Sequence, residues 1–264
     1  MPAANARPVT LITGASEGIG AELARIMAAA GHDLALVARR GDRLEALAQD
    51  LAAEGFARPL TFACDLAQPD AIEPLAQGLA AAGAQVEILV NNAGYGMLGA
   101  AASLAREDQL GMIDLNIRAL TDLTLRFLPE IIAARGRILH VASTASFLPG
   151  PGMAVYYASK AYVLSLGEAL AHELRDTGAS VTTLCPGPTL TGFQARAGFD
   201  ATLFKGPRPM EARAVALAGY AGMMAGKRVI VPGAMNKLTM IFARLAPRAL
   251  LLAAVGRLQE GRKA

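Results

Sequence analysis

The chain has 264 residues, 53% of them hydrophobic and only 18% charged, which excludes a disordered chain and suits one α/β domain or two small ones. No apolar run reaches the roughly 18 residues of a spanning helix, and two cysteines, Cys64 and Cys185, exclude a disulfide framework and point to a reducing, cytoplasmic setting. Net charge is +3 but unevenly placed: residues 1–226 hold 17 Lys/Arg against 21 Asp/Glu, whereas residues 227–264 hold 8 against one acid, Glu260.

The first residues carry no apolar signal core. Residues 9–12 form a short apolar run and read as a buried strand. ThrGlyAlaSerGluGlyIleGly, residues 13–20, comes next, then a helical run that Gly31 ends. Strand, glycine-rich turn and helix is the context a dinucleotide loop requires. Glycines let the backbone approach a pyrophosphate, and the helix N-terminus offers N–H donors and a positive dipole. The spacing here is Gly14, Gly18, Gly20. A plain turn is the alternative for this stretch taken alone.

Leu34–Ala38 is the second strand, and it runs into Arg39 and Arg40. In dinucleotide folds this strand end meets the adenosine ribose, where an acid suits NAD and an arginine suits the 2′-phosphate of NADP. No acid stands at the strand end, so NADP(H) is favoured over NAD(H). A helix is expected over 42–54 and a third strand over Leu60–Ala63. Asp65 then either meets the adenine or caps a helix starting near Gln68. A fourth strand, 86–90, leads into AsnAsnAlaGlyTyrGly, residues 91–96. One long helix is expected over 107–134, with Asn116 between the apolar Leu115 and Ile117.

A fifth strand over 136–142 ends at Ser143. Thirteen residues later comes Tyr156 and four beyond it Lys160, on a helix expected over 154–176. Positions i and i+4 share a helix face, so Lys160 should stand beside Tyr156. A phenol ionises near pH 10, and an adjacent ammonium lowers that value, which tunes a tyrosine for acid–base work. A sixth strand, 181–185, precedes ProGlyProThrLeuThr, residues 186–191. Residues 193–209 read as a loop, and the segment to Met210 holds Phe193, Phe199, Leu203 and Phe204, candidates for an apolar pocket. A last strand is expected over 228–231. The tail, 235–258, is apolar at helical spacing, with Pro247 placed to start a second helix. His32, His140 and His172 show no ligand spacing, and no metal site is expected.

Strands alternating with helices predict a Rossmann-type α/β fold: a doubly wound parallel sheet of about seven strands, helices on both faces, and a helical tail. Residues 1–233 would form the catalytic domain and 234–264 an extension packed on it or at an interface. Ligands sit outside the strands' carboxyl ends, where nearly all the singled-out residues lie.

Taken together, the chain resembles the short-chain dehydrogenase/reductase family from residue 9 to residue 231. The motifs that carry the resemblance are ThrGlyXXXGlyIleGly (13–20), AsnAsnAlaGly (91–94), Asn116, Ser143, TyrXXXLys (156–160) and ProGly (186–187), in family order. The resemblance implies that Tyr156 is the general acid in carbonyl reduction and that Ser143 hydrogen-bonds the substrate oxygen. Lys160 would lower the Tyr156 pKa and hold the nicotinamide ribose, and Asn116 would anchor a water relaying protons to Lys160. Gly14, Ser16, Gly18, Ile19 and Gly20 would cradle the cofactor. Asp65 and Leu66 would flank adenine, with Asn92, Ala93 and Gly94 on the ribose side. Pro186, Gly187, Thr189 and Thr191 would lie along the nicotinamide, the threonines holding its carboxamide. Glu17 departs from NADP-preferring members, which often carry a basic residue there, so the NADP reading rests on Arg39 and Arg40. Family members form homodimers or homotetramers through the helices at 107–134 and 154–176. The expected activity is reduction of a small apolar carbonyl, or oxidation of the alcohol. A non-catalytic NADP-binding sensor or scaffold is the alternative. The basic, apolar tail favours contact with a membrane or a protein over nucleic acid, and it would either pack over the substrate entrance or attach weakly to a membrane surface; a surface helix packed on its own domain is the blander option.

Overall fold

The computed structural model describes residues 6–193, 197 and 209–260. Its central sheet comprises β1 Arg7–Thr13, β2 Leu34–Ala38, β3 Leu60–Ala63, β4 Ala84–Asn91, β5 Arg137–Val141 and β6 Ser180–Leu184. Beyond them lie a short pair, β7 Thr189–Leu190 with β8 Met210–Glu211, and β9 Val229–Ile230. The order is β3-β2-β1-β4-β5-β6-β9, parallel throughout. The chain therefore winds outward from β1 one way, returns, and winds the other way from β4. That reversal leaves a crevice at the carboxyl ends of β1 and β4, where such folds bind ligands.

Strand alternation divides the core into two layers. Ala35 and Val37 face one side, with Leu75 and Leu79 of α3 (Ile72–Ala81) and Leu123 and Phe127 of α5 (Leu120–Ala133). Leu34 and Leu36 face the other, against Leu23 and Met27 of α1 (Gly18–Ala29) and Leu44 and Leu47 of α2 (Gly41–Ala53). Strands buried on both faces read as near-continuous apolar runs, and LeuAlaLeuValAla is apolar throughout.

Three regions differ from the sequence expectation. The long helix over 107–134 is α4 (Arg106–Ile113), a π-helical stretch Asp114–Ala119, then α5. Such π-bulges re-aim side chains at functional sites, and this one carries Asn116. The helix expected from Gln68 begins at Ile72, and Asp65 does not cap it; its Oδ1 accepts from the Ala67 N–H at 3.2 Å. A helix the sequence reading left unassigned, α7 (Ala212–Met224), packs Val215, Ala216 and Met223 against the second layer. The helix carrying Tyr156 and Lys160 is α6, Ala154–Glu173. The tail forms α8 (Ala234–Leu245) and α9 (Arg248–Glu260), parted at Pro247 as expected. Phe199, Leu203 and Phe204 lie outside the described residues.

Candidate active site

The carboxyl ends of the strands open into one cleft of about 400 Å³. Its floor is the glycine turn after β1. Gly14 has φ +65°, and a Cβ there would lie 2.9 Å from the Ala93 Cα. A Cβ at Gly20 would strike the Gly14 carbonyl and the Asn92 side chain. The turn is held to the loop after β4 by Thr13, whose Oγ1 accepts from the N–H groups of Asn92 and Ala93, each at 3.0 Å. Asn92 Nδ2 donates back to the Thr13 carbonyl at 2.9 Å. Sequence reasoning did not assign Thr13 a role; its place directly before Gly14 was the available signal. The surface left bare of side chains is a cradle for a flat, extended ligand.

At one end of the cleft stand the two arginines. Arg40 is engaged: it donates to Ser16 Oγ at 3.0 Å and pairs with Glu17 at 2.9 Å. Glu17 also pairs with Arg43 at 3.2 Å. Arg39 lines the cleft, is exposed, and makes no hydrogen bond or ion pair among the described residues. The acid that departs from the NADP pattern thus pairs with Arg40 and Arg43 and not with Arg39. Asp65 and Leu66 line the wall beside Arg39.

At the other end Ser143, Tyr156 and Lys160 converge. Ser143 follows β5 in extended backbone, and its Oγ accepts from the Ala145 N–H at 3.1 Å. Thr144 N–H donates to the Pro186 carbonyl at 2.8 Å, which ties this loop to the one after β6. Tyr156 is buried, its ring 5.4 Å from that of Phe193. Lys160 is 5% exposed, and its Nζ donates to the Val141 carbonyl at 2.9 Å. Gly94 brings the β4 loop against them: a Cβ there would lie 3.0 Å from Asn116 Oδ1 and 3.3 Å from Lys160 Nζ. Asn116 spends its side chain on the same loop, donating to the Tyr95 carbonyl at 2.9 Å and accepting from its N–H at 3.1 Å. It also donates to Ser159 Oγ at 3.1 Å. These bonds tie the loop after β4 and α6 to the π-helical stretch.

One electrostatic expectation is corrected. Burial pushes the Tyr156 phenol up to about 12, with a hydrogen bond to Ser143 pulling the other way and Tyr157 adding to the rise. Lys160 is not among the groups that move it, and burial lowers its own ammonium to about 8. Desolvation disfavours the charged form of both groups. Tyr156 is accordingly protonated at neutral pH, the state a proton donor needs.

Of the sequence-assigned residues, all line the cleft except Gly20 and Asn116, which stand behind it. Thr189 and Thr191 are there, each engaged locally: Thr189 Oγ1 donates to the Gly187 carbonyl at 2.9 Å, and Thr191 Oγ1 accepts from the Phe193 N–H at 3.2 Å. The sequence reading did not place Leu148, Met153 or the α8 residues Asn236, Thr239 and Met240, which also line the cleft. The tail is held across this mouth by Gln259 of α9, whose Nε2 donates to Tyr157 Oη at 3.1 Å. Among the described residues no cluster of three or more His, Cys, Asp or Glu could hold a metal.

The sequence pattern of short chain dehydrogenases matches residues 8–200. The chain belongs to the short-chain dehydrogenase family. It is 36% identical over 216 residues to sulfoacetaldehyde reductase 2 of Chromohalobacter salexigens, covering 79% of this chain and 85% of that one. Among solved structures it is similar to a short-chain dehydrogenase from Sphingobium yanoikuyae in complex with NADPH, at 36% identity and a TM-score of 0.80, covering 90% and 94%. It is also similar to the bulky-bulky ketone specific alcohol dehydrogenase of Comamonas testosteroni, at 30% identity and a TM-score of 0.76, covering 90% and 92%. This dehydrogenase is an NAD(P)-dependent oxidoreductase that interconverts a carbonyl and an alcohol.

Proposed function

We propose that the protein is an NADPH-dependent reductase of apolar, bulky ketones, with NAD(H) as the weaker cofactor and alcohol oxidation as the reverse reaction. The observation that carries this reading is the convergence of Ser143, protonated Tyr156 and Lys160 at one end of a cleft whose other end presents Arg39. The cradle bounded by Gly14, Gly18, Asn92 and Ala93 suits the pyrophosphate, Arg39 the 2′-phosphate, and Thr189 and Thr191 the carboxamide. NADPH, when bound, supplies the hydride. The chain supplies the rest. Ser143 Oγ donates a hydrogen bond to the substrate oxygen and orients the carbonyl. Tyr156 gives that oxygen its proton, so the product leaves as the neutral alcohol. Lys160, fixed by the Val141 carbonyl, holds positive charge beside the phenolate that remains and helps it recover a proton from solvent. Asn116 holds the β4 loop in place around them.

Leu148, Met153, Phe193 and Met240 line the substrate end, which supports an apolar substrate; the similar enzyme of Comamonas testosteroni is named for bulky ketones. The catalytic domain, 1–233, and the helical extension, 234–264, act as one unit in this reading. A homodimer or homotetramer through α4–α5 and α6 is supported by Leu110, Leu125 and Tyr162, which those helices leave exposed. The setting is cytoplasmic, with peripheral contact at a membrane surface through the tail. The test is NADPH oxidation with matched ketones of rising bulk. kcat/KM should climb with apolar bulk and exceed the value for short polar aldehydes by at least tenfold. A reversed order would remove the substrate class, and no oxidation with any ketone would leave a nucleotide-binding sensor.

A further inference from the structure

The last two helices carry half of the large apolar side chains exposed among the described residues. Met235, Leu238, Ile241, Phe242 and Leu245 all lie on α8. At 3.6 residues per turn they span a single arc of about 120°. The opposite arc belongs to the cleft: Asn236, Thr239 and Met240 line it, and Ala243 is buried. Lys237 is exposed between the two arcs. One helix therefore has the substrate cleft on its inner side and an uncovered apolar stripe on its outer side, where Phe242 is 68% and Leu245 81% exposed.

We propose that α8 seats this protein on an anionic membrane surface, with the cleft mouth at the lipid, so that carbonyl substrates dissolved in the bilayer enter past α8. This rests on the reductase reading and names where its substrate comes from. Charge selects the occupant. Residues 227–264 hold 8 Lys/Arg and one acid, a balance of +7. Two such tails brought face to face would repel, whereas an anionic leaflet attracts each basic residue near it by about fivefold in affinity. Length selects the geometry. α8 has 12 residues, roughly 18 Å of helix, against a hydrocarbon core of about 30 Å. It cannot span and must lie in the interface, its apolar arc down and its basic edge among the headgroups. No described helix is long and apolar enough to cross a membrane. One helix diameter, about 10 Å, then separates lipid from cleft.

The test uses the full chain and vesicles of phosphatidylcholine with and without phosphatidylglycerol, read by co-sedimentation. Partitioning should favour the anionic vesicles by at least tenfold and weaken as salt rises from about 50 mM to about 500 mM. A triple variant, Leu238→Ser, Phe242→Ser and Leu245→Ser, alters only side chains that point away from the cleft. It should lose at least tenfold in partitioning yet reduce a water-soluble ketone within about twofold of the parent. Equal partitioning on both vesicles, or partitioning untouched by the triple variant, would overturn the proposal. So would a parent self-association that the triple variant abolishes without vesicle binding, which would assign the stripe to a second copy. Vesicle binding by a parent that reduces no ketone would uphold the docking surface and strike the reductase reading instead.

Discussion

Two helices border the same cleft and differ in almost everything else. α6 presents Tyr156 and Lys160 inward, and it is pinned along its length: Ser159 by Asn116, the Lys160 carbonyl by Ser146 Oγ at 2.7 Å, Val163 and Leu170 by the core. α8 presents Asn236, Thr239 and Met240 inward, but among its described side chains it buries only Met240 and Ala243 and exposes five large apolar ones. The helix that carries reacting groups is fixed by hydrogen bonds and packing, because proton transfer fails when its geometry drifts. The helix that borders the mouth is held by a narrow strip, Met240 and Ala243. Changes in α6 should therefore cost turnover, and changes around α8 should alter substrate range and location.

The largest effect expected is at Tyr156. Tyr156→Phe removes one oxygen, keeps the ring against Phe193, and should lower kcat by about 10²- to 10⁴-fold, the usual worth of a positioned proton donor. NADPH affinity, measured by fluorescence titration, should stay within about threefold. Tyr157→Phe is the control and should be mild; the opposite pattern would move the acid to Tyr157.

Lys160→Met should reduce both turnover and NADPH affinity, by about tenfold or more each, since it removes the cation at the reacting end. It has a second readout. The folded chain releases the Lys160 proton near pH 8, whereas the unfolded chain keeps it to about 10.5. Between these values the unfolded state binds more protons, so the parent's stability should rise with pH. Below pH 8 the parent carries the full cost of the buried charge. Lys160→Met should thus be the more stable protein in thermal melts at pH 7, and its advantage should shrink from pH 8 toward pH 10. An advantage that does not change with pH would mean the lysine is not charged in the fold.

Arg39→Ala should raise the KM for NADPH by about tenfold to a hundredfold, the worth of a charge-assisted hydrogen bond, and leave that for NADH nearly unchanged. Arg40→Ala should do less, because Glu17 already neutralises Arg40. The smallest effect belongs to the tail. Gln259→Ala breaks a neutral hydrogen bond to Tyr157, worth about 1 kcal/mol. It should change the KM of bulky ketones by up to about fivefold and leave kcat for small ones alone.

How much of this was legible beforehand follows the same division. Leu34–Ala38 could be read to the residue, because this strand is buried on both faces and apolar at all five positions. That Lys160 stands one turn from Tyr156 on a helix could be read from spacing, and that Ser143 follows a strand could be read from the apolar run before it. The π-helical turn at Asn116 could not, since it changes hydrogen-bond register without any compositional mark. The Arg40–Glu17 pair needed two loops 23 positions apart in sequence to meet in space. The direction of the Tyr156 shift depended on burial, which spacing does not report. The contribution of Asn236 and Met240 depended on where the tail docks, a contact between segments distant along the chain.

The central claim is that Tyr156 protonates a carbonyl while hydride reaches its carbon. Deuteride transfer from NADPH carrying deuterium at both C4 positions of the nicotinamide tests it most directly, with a bulky apolar ketone and the product alcohol read by mass spectrometry. The account predicts one deuterium on the carbinol carbon with the parent protein, and product formation slowed by about 10²-fold or more with Tyr156→Phe at saturating cofactor. Unlabelled alcohol, or equal rates from parent and variant, would contradict it.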